Sequence, residues 1–177
     1  RQTMKFELLD SEIIFQGRVF DIRRDRIKTP SGRLAKYDVI EHHGSVILVP
    51  IDSAGNVHFV RQYRHAVGGE LLELPAGTLE AGEEPLECAR REIREEIGMA
   101  ALNMREIGSF YLVPGYSTEF MHAYLATGLQ ENPLPPDADE YLQVERIPFV
   151  KALEMARKGE IPDSKTLAAL LLAQNYL

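Results

Sequence analysis

Three carboxylates lie close together in the segment from Gly77 to Met99 of this chain of 177 residues. If the segment is helical, Glu92 and Glu96 lie one turn apart, and Glu95 is offset by about 60° from Glu92. Like charges at this spacing repel one another, and the repulsion grows in less polar surroundings. A hard divalent cation would relieve it, since oxygen ligands suit magnesium, which completes its shell with water and substrate phosphates. The spacing therefore indicates a cation site for phosphate chemistry.

The acidic residues belong to a helix predicted over residues 85–97, with a proline at the favourable first turn and Gly98 as the carboxyl-terminal stop. Its apolar positions fall on one side at about 100° per residue, and they are Leu86, Ala89, Ile93 and Ile97. The acidic stripe borders that apolar side. Arg91 lies beside Glu95 on the helical wheel, so we expect it to orient Glu95 or to neutralise part of the cluster. A solvated acidic helix face is the alternative interpretation.

The elements that must position this helix are mostly strands. Apolar alternation and turn signals predict strands over 6–15, 19–28, 37–41, 45–51, 57–63, 71–74, 106–113, 120–126 and 142–147. Two further helices are predicted over 149–158 and from Asp163 or Ser164 to Tyr176. A β-rich opening with helices inserted later predicts a mixed sheet sandwiched between helices, of the α/β (α+β) class, with an amino-terminal region of antiparallel strands.

Composition restricts the function further. With 45% apolar and 27% charged residues, the chain resembles an ordinary soluble globular protein of one domain, residues 1–177. No apolar run approaches the roughly 18 residues of a membrane span, and the amino end lacks a signal-peptide core. A net charge of -7 argues against a nucleic-acid groove. The single cysteine, Cys88, fits a reducing cytoplasm and is expected to be a small buried thiol.

The spacing of residues 77–99 resembles the Nudix box at every specified position, namely Gly77, Glu83, Arg91-Glu92-Ile93, Glu95-Glu96 and Gly98-Met99. The resemblance implies a Nudix fold and hydrolysis of a nucleoside diphosphate linked to another group. It also implies that Glu92, Glu96 and the Ala76 carbonyl bind Mg²⁺, with Mn²⁺ as a substitute. Glu95 would be a nearby ligand or base, and Glu83 would help to hold the helix.

Outside the box, the sequence resembles the ADP-ribose pyrophosphatase branch of that superfamily. The resemblance rests on Arg61-Gln62-Tyr63-Arg64, on residues 73–77, and on Pro114, which follows Met99 by 15 residues. It implies hydrolysis of ADP-ribose to AMP and ribose 5-phosphate. The substrate would be bound by Arg64, Glu80, Gly115 and Glu119. In relatives the amino-terminal strands, here residues 1–43, cross to a second subunit, so a homodimer is implied, with Val19, Lys36 and Asp38 serving the partner's site.

The general base is expected in the acidic loop around Pro135 and Glu140. Related ADP-ribose hydrolases often carry two glutamates here, separated by one residue, but the first place is Ala138 in this chain. Glu140 remains as base or metal ligand, Asp137 and Asp139 are shorter substitutes in the same loop, and Glu95 is the other candidate base. A second departure is Val113, where relatives commonly have serine.

Two other functions are open. One is a Nudix pyrophosphatase for another nucleotide sugar, a dinucleotide or an oxidised nucleotide. The other is a non-catalytic module that senses ADP-ribose, although the complete carboxylate set favours an enzyme.

Overall fold

The structure is a computed structural model that describes residues 5–135 and 141–177. Its strands are β1 (Glu7–Gln16), β2 (Asp21–Lys28), β3 (Leu34–Glu41), β4 (Ser45–Ile51), β5 (Asn56–Arg64), β6 (Gly69–Glu73), β7 (Ala76–Thr78), β8 (Met99–Tyr111), β9 (Phe120–Glu131) and β10 (Leu142–Pro148). Its helices are α1 (Pro85–Ile97), α2 (Phe149–Arg157) and α3 (Ser164–Ala173). The chain divides into two compact units, Arg1–Gly44 with Tyr111–Phe120, and Ser45–Phe110 with Met121–Leu177.

The larger unit contains the predicted mixed sheet. Its strands follow the order β10-β5-β4-β9-β8, with β6 added to β5 and β7 added to β4. Strands β4 and β9 run parallel, whereas β5 is antiparallel to β4, β6 and β10. All seven residues of β4 are buried, as expected for a continuous apolar run at the centre of a sheet.

Helices cover this sheet on both faces. Val46 and Leu48 of β4 join Ile93 of α1 in one apolar cluster. Because side chains alternate along a strand, Ile47 and Val49 point to the opposite face, where both are fully buried. Strand β4 also contacts α3. The predicted fold, a mixed sheet between helices, is confirmed.

The smaller unit contains a three-stranded antiparallel sheet in the order β1-β2-β3, as predicted for the amino-terminal region. All ten residues of β1 are exposed. This unit's first segment ends at Gly44, next to residue 43, where the amino-terminal strand region was predicted to end. The organisation of residues 1–177 as one domain stays a prediction.

The structure corrects several predicted boundaries. Strand β7 was not predicted, because its three residues form a strand only by pairing with β4. Strand β8 begins at Met99 rather than residue 106, immediately after the helix stop. Helix α3 ends at Ala173 rather than Tyr176. No helix in the described part of the chain is long and apolar enough to span a membrane.

Candidate active site

Helix α1 carries the acidic cluster, and its ends lie where the sequence predicted. Pro85 occupies the first turn, and Gly98 ends the helix with a φ of 70°, donating its amide to the Ile93 carbonyl. This left-handed conformation is one that glycine adopts without steric cost. Although they are acidic, Glu92 and Glu96 are only 8% and 6% exposed. The acidic stripe therefore turns inward, which excludes a solvated acidic face.

Arg91 connects the carboxylates of the cluster. Its Nε and Nη2 atoms donate to the two oxygens of Glu83 at 3.0 and 2.9 Å. Its Nη1 atom donates to Glu92 at 2.6 Å and to Glu95 at 2.9 Å. The hydrogen bond from Arg91 lowers the pKa of Glu83 to about 2, and Glu83 in turn raises the pKa of Arg91. One guanidinium thus holds three carboxylates in fixed positions, as a planar fork allows.

Strand β7 lies directly against the carboxylates of Glu92 and Glu96. The Ala76 amide donates to Oε2 of Glu96 at 3.0 Å. The carboxyl group of Glu92 sits so close to Gly77 that no side chain would fit there. Glycine is required at this position because of the close approach. The carboxylates of Glu92 and Glu96 therefore meet at the backbone of Ala76–Gly77, which pairs with the central strand β4.

The chemistry of this donor set fits a divalent cation of the magnesium type. Such ions are bound by one or two carboxylates and complete their shell with water and substrate oxygens. Two buried carboxylates beside a strand backbone provide that arrangement. Within residues 5–135 and 141–177, no group of three or more His, Cys, Asp or Glu side chains is arranged to enclose a metal ion by itself. The fit thus depends on Glu92 and Glu96, with backbone and substrate oxygens.

Arg64, predicted to bind substrate, forms a forked ion pair with Glu73. Its Nε and Nη2 atoms donate to the two carboxylate oxygens at 2.8 and 2.7 Å. The side chain of Glu73 is 1% exposed, whereas that of Arg64 is 38% exposed. Burial alone would raise the pKa of Glu73, but the bonds from Arg64 and Lys165 lower it below its ordinary value. Glu73 thereby fixes the guanidinium, while part of the Arg64 side chain remains exposed.

The other predicted substrate residues lie in different surroundings. Glu80 is exposed in the larger unit, where its amide donates to Glu83 at 3.0 Å. Gly115 and Glu119 belong to the smaller unit, and a β-carbon on Gly115 would meet no heavy atom within 4 Å. Packing within the chain therefore does not explain glycine at position 115. Their roles stay predictions.

The residues predicted to serve a partner's site are all exposed in the smaller unit. Val19 lies between β1 and β2, and Lys36 lies on β3. Asp38 forms a forked pair with Arg24 at 2.7 and 2.9 Å. The Asp38 carboxylate is therefore already paired with a guanidinium of the same unit.

Two predictions concern the loop around residue 138. Glu140 and Ala138 lie outside the described residues, so Glu140 as base or ligand stays a prediction. Glu95, the other candidate base, is held by Arg91 on α1.

Sequence reasoning did not find the contact between Leu74 and Thr166. The Leu74 amide donates to Oγ1 of Thr166 at 2.9 Å. A contact across 92 residues leaves no local pattern. The sequence offered one signal for this region, the predicted start of a helix at Asp163, and the Asp163 side chain does cap α3.

Comparison with known families gives two matches that together cover most of the chain. Residues 41–170 match the family described as NUDIX domain. Residues 6–40 match the nucleoside diphosphate sugar hydrolase N-terminal domain. The boundary between the two matches coincides with the end of β3.

Individual proteins are similar over nearly the full length. An ADP-ribose pyrophosphatase of Mycobacterium tuberculosis is 39% identical over 94% of this chain and 82% of its own. A GDP-mannose pyrophosphatase of Salmonella arizonae is 34% identical over 96% of this chain and 90% of its own. A crystal structure of an ADP compounds hydrolase superimposes with a TM-score of 0.88, covering 100% of this chain and 96% of that one, at 22% identity.

The fold and the acidic helix define an enzyme of the pyrophosphohydrolase class, which generally uses divalent metal ions. Within that class, the chain belongs to the Nudix family.

Proposed function

We propose that this enzyme hydrolyses the diphosphate of a nucleoside diphosphate sugar, with ADP-ribose as substrate and AMP and ribose 5-phosphate as products. The observation that carries the proposal is the burial of Glu92 and Glu96 against the Ala76–Gly77 backbone. Support for the substrate class comes from the amino-terminal match and from the ADP-ribose pyrophosphatase that is 39% identical.

In this proposal the cation is Mg²⁺, with Mn²⁺ as a substitute, and Glu92, Glu96 and the Ala76 carbonyl would hold it. When bound, such a cation supplies charge stabilisation at the diphosphate oxygens. Arg91 fixes the orientation of Glu92 and Glu95 through its hydrogen bonds of 2.6 and 2.9 Å. The protein's part in catalysis is therefore to hold carboxylates at set positions before substrate arrives.

Removal of a proton from the attacking water needs a base within hydrogen-bond reach. Glu140 takes this role in the proposal, and Glu95 is the alternative. Water attacks one phosphorus atom, the bridging P–O bond breaks, and the proton taken by the carboxylate is released to solvent. Each product then carries one terminal phosphate.

Arg64 is proposed to contact the adenine or the diphosphate. Two of its nitrogens are occupied by Glu73, so in this proposal the exposed part of the side chain stacks on the adenine or the remaining nitrogen donates one further hydrogen bond. Glu80, Gly115 and Glu119 are proposed to contact the ribose and phosphate groups. These assignments come from the family resemblance together with the exposure of Arg64 and Glu80.

The protein is further proposed to act in the cytoplasm as a homodimer joined through its amino-terminal strands. Support comes from β1, whose ten residues are all exposed and include Leu8, Ile13 and Phe15. Exposed large apolar side chains on one strand are typical of a surface that a partner covers. Val19, Lys36 and Asp38 would then contact substrate bound by the other subunit.

The test is product identification on a substrate panel with Mg²⁺. ADP-ribose, GDP-mannose, a dinucleotide and nucleoside triphosphates are supplied separately, and the products are separated by chromatography. AMP and ribose 5-phosphate from ADP-ribose, at the highest kcat/KM of the panel, is the expected result. Turnover of triphosphates without turnover of any nucleotide sugar would refute the proposal.

GDP-mannose is the second candidate substrate, because the GDP-mannose pyrophosphatase is 34% identical over 96% of this chain. The same panel separates the two, since GDP-mannose yields GMP and mannose 1-phosphate. Binding of ADP-ribose without any metal-dependent turnover would instead identify a sensing module.

A further inference from the structure

The segment from Glu73 to Ala76, which leads into the candidate active site, is held at every residue by another element of the fold. Arg64 and Lys165 donate hydrogen bonds to the Glu73 carboxylate, and the Leu74 amide donates to Thr166. The Pro75 carbonyl accepts from the Leu48 amide, and the Ala76 amide donates to Glu96. A segment tied at four consecutive residues has little freedom to shift.

Thr166 makes the bond that reaches this segment from the first turn of α3. Its side chain is fully buried. Oγ1 accepts from the Leu74 amide at 2.9 Å and donates to Oδ2 of Asp163 at 2.5 Å. Donor and acceptor roles of this hydroxyl are therefore both fixed, which no apolar side chain of the same shape can reproduce.

Asp163 orients Thr166 and links it to the neighbouring ion pairs. It caps α3 by accepting from the Thr166 amide at 3.1 Å. Its other oxygen accepts from Lys165 at 2.9 Å, and Lys165 also donates to Glu73. The start of α3 thus holds both the side chain of Glu73 and the backbone of Leu74.

We propose that Thr166 is a positioning residue for the hydrolysis reaction, acting through the Leu74–Ala76 backbone. The inference rests on the proposed function, in which Glu92, Glu96 and the Ala76 carbonyl bind the cation. Ala76 bonds to Glu96, and Gly77 lies against Glu92 without spare room. A small shift of this backbone therefore changes the arrangement of all three oxygen donors, as happens when groups that orient metal ligands are removed.

A first measurement needs no metal. Thr166→Val keeps the shape of the side chain but removes the hydroxyl, whereas the control Thr166→Ser keeps the hydroxyl. In metal-free protein, amide hydrogen exchange at Leu74 and Ala76 is expected to accelerate about tenfold or more in T166V. Exchange in β9, which has no hydrogen bond to residues 73–76 among those described, should not change, and T166S should resemble the wild type. Unchanged exchange at both amides in T166V would overturn the proposal.

A second measurement is the affinity for Mn²⁺ alone, by isothermal titration calorimetry. The Kd is expected to rise about 10-fold or more in T166V and to stay near the wild-type value in T166S. A merely structural role would lower the unfolding temperature of T166V without changing its Kd, and that result would contradict the inference.

A further variant guards against misfolding. If T166V has no cooperative unfolding transition, Thr166→Ala replaces it, because alanine also removes the hydroxyl but places no methyl group against the Leu74 amide. The same two amides should exchange faster in T166A, and unchanged exchange would overturn the proposal.

The outcomes also separate this inference from the proposed function. A wild-type protein that binds no Mn²⁺ would refute the metal site and the inference together. If the wild type binds Mn²⁺ and T166V weakens that binding, but the wild type does not hydrolyse ADP-ribose, only the substrate assignment is refuted.

Discussion

A β-carbon placed on Gly77 would lie 1.9 Å from the carboxyl carbon of Glu92. Real β-carbons do not approach other atoms so closely, so one of the two groups would have to move. Glu92 is 8% exposed and bonded to Arg91, which limits where its carboxylate can go. The absence of a side chain at position 77 is therefore a condition for the observed geometry of the acidic cluster.

Gly77→Ala should displace Glu92 and lower kcat by about 100-fold or more, with weaker Mg²⁺ binding. Steady-state kinetics across a Mg²⁺ titration measures both effects. Gly69→Ala is the matched control, because a β-carbon there meets no heavy atom within 4 Å. Wild-type kinetics in G77A would show that Glu92 does not need its observed position.

Glu96→Gln should remove one charge from the proposed cation site and reduce kcat at least roughly 100-fold. The hydrogen bond with the Ala76 amide can persist, since the glutamine side chain keeps one acceptor oxygen. Mn²⁺ titration calorimetry should show weaker binding, whereas Glu87→Gln, an exposed change on the same helix, should behave as wild type. Full activity of E96Q would reject its assignment as a metal ligand.

Arg91→Lys should lower kcat by about 10- to 100-fold even though the positive charge is kept. An ammonium group cannot reproduce the fork that reaches Glu83, Glu92 and Glu95 together. Arg90→Lys changes the neighbouring exposed arginine in the same way and serves as the control in parallel kinetic assays. Equal kcat values for R91K and R90K would contradict the orienting role of Arg91.

The Glu83–Arg91 pair should make stability depend on pH at acid values. The folded-state pKa of Glu83 is about 2, below its ordinary value of 4.5. The pair therefore stabilises the fold above about pH 4.5, and this contribution is lost as the pH falls from 4.5 towards 2. Glu83→Gln should destabilise by about 1 to 2 kcal/mol at pH 7, after allowance for screening by solvent.

Urea unfolding at several pH values measures this difference between wild type and E83Q, which should shrink as the pH approaches 2. The exposed pair of Glu87 and Arg90 provides the comparison, since E87Q should cost less than about 0.5 kcal/mol at any pH. If the difference in unfolding free energy between wild type and E83Q stays constant from pH 7 to pH 3, the charge of the Glu83 carboxylate does not contribute to stability.

Local patterns predicted α1 and β4 to the residue. A proline in the first turn and Gly98 at the end bound the helix, and a continuous apolar run defines the central strand. Both signals lie within the segment itself, so no knowledge of distant partners is needed. The acidic stripe could be predicted for the same reason.

Features that depend on distant contacts could not be predicted. Strand β7 exists because Ala76–Thr78 pairs with β4, which lies about 30 residues earlier in the chain. The sequence around Arg64 does not indicate that its guanidinium pairs with Glu73, and the sequence around Leu74 does not indicate a hydrogen bond to Thr166. Partners of this kind are set by tertiary packing rather than by spacing.

Cys88 gives the protein an internal reporter of its own unfolding. Cys88 lies on α1, its side chain is fully buried, and burial raises the pKa of its thiol above the ordinary value. Thiolates, not thiols, react with maleimides and iodoacetamide, so the native protein should resist such reagents. Modification at Cys88 therefore requires α1 to lift away from the sheet, and at reagent concentrations high enough that the labelling rate no longer increases, a time course gives the opening rate with no engineered probe.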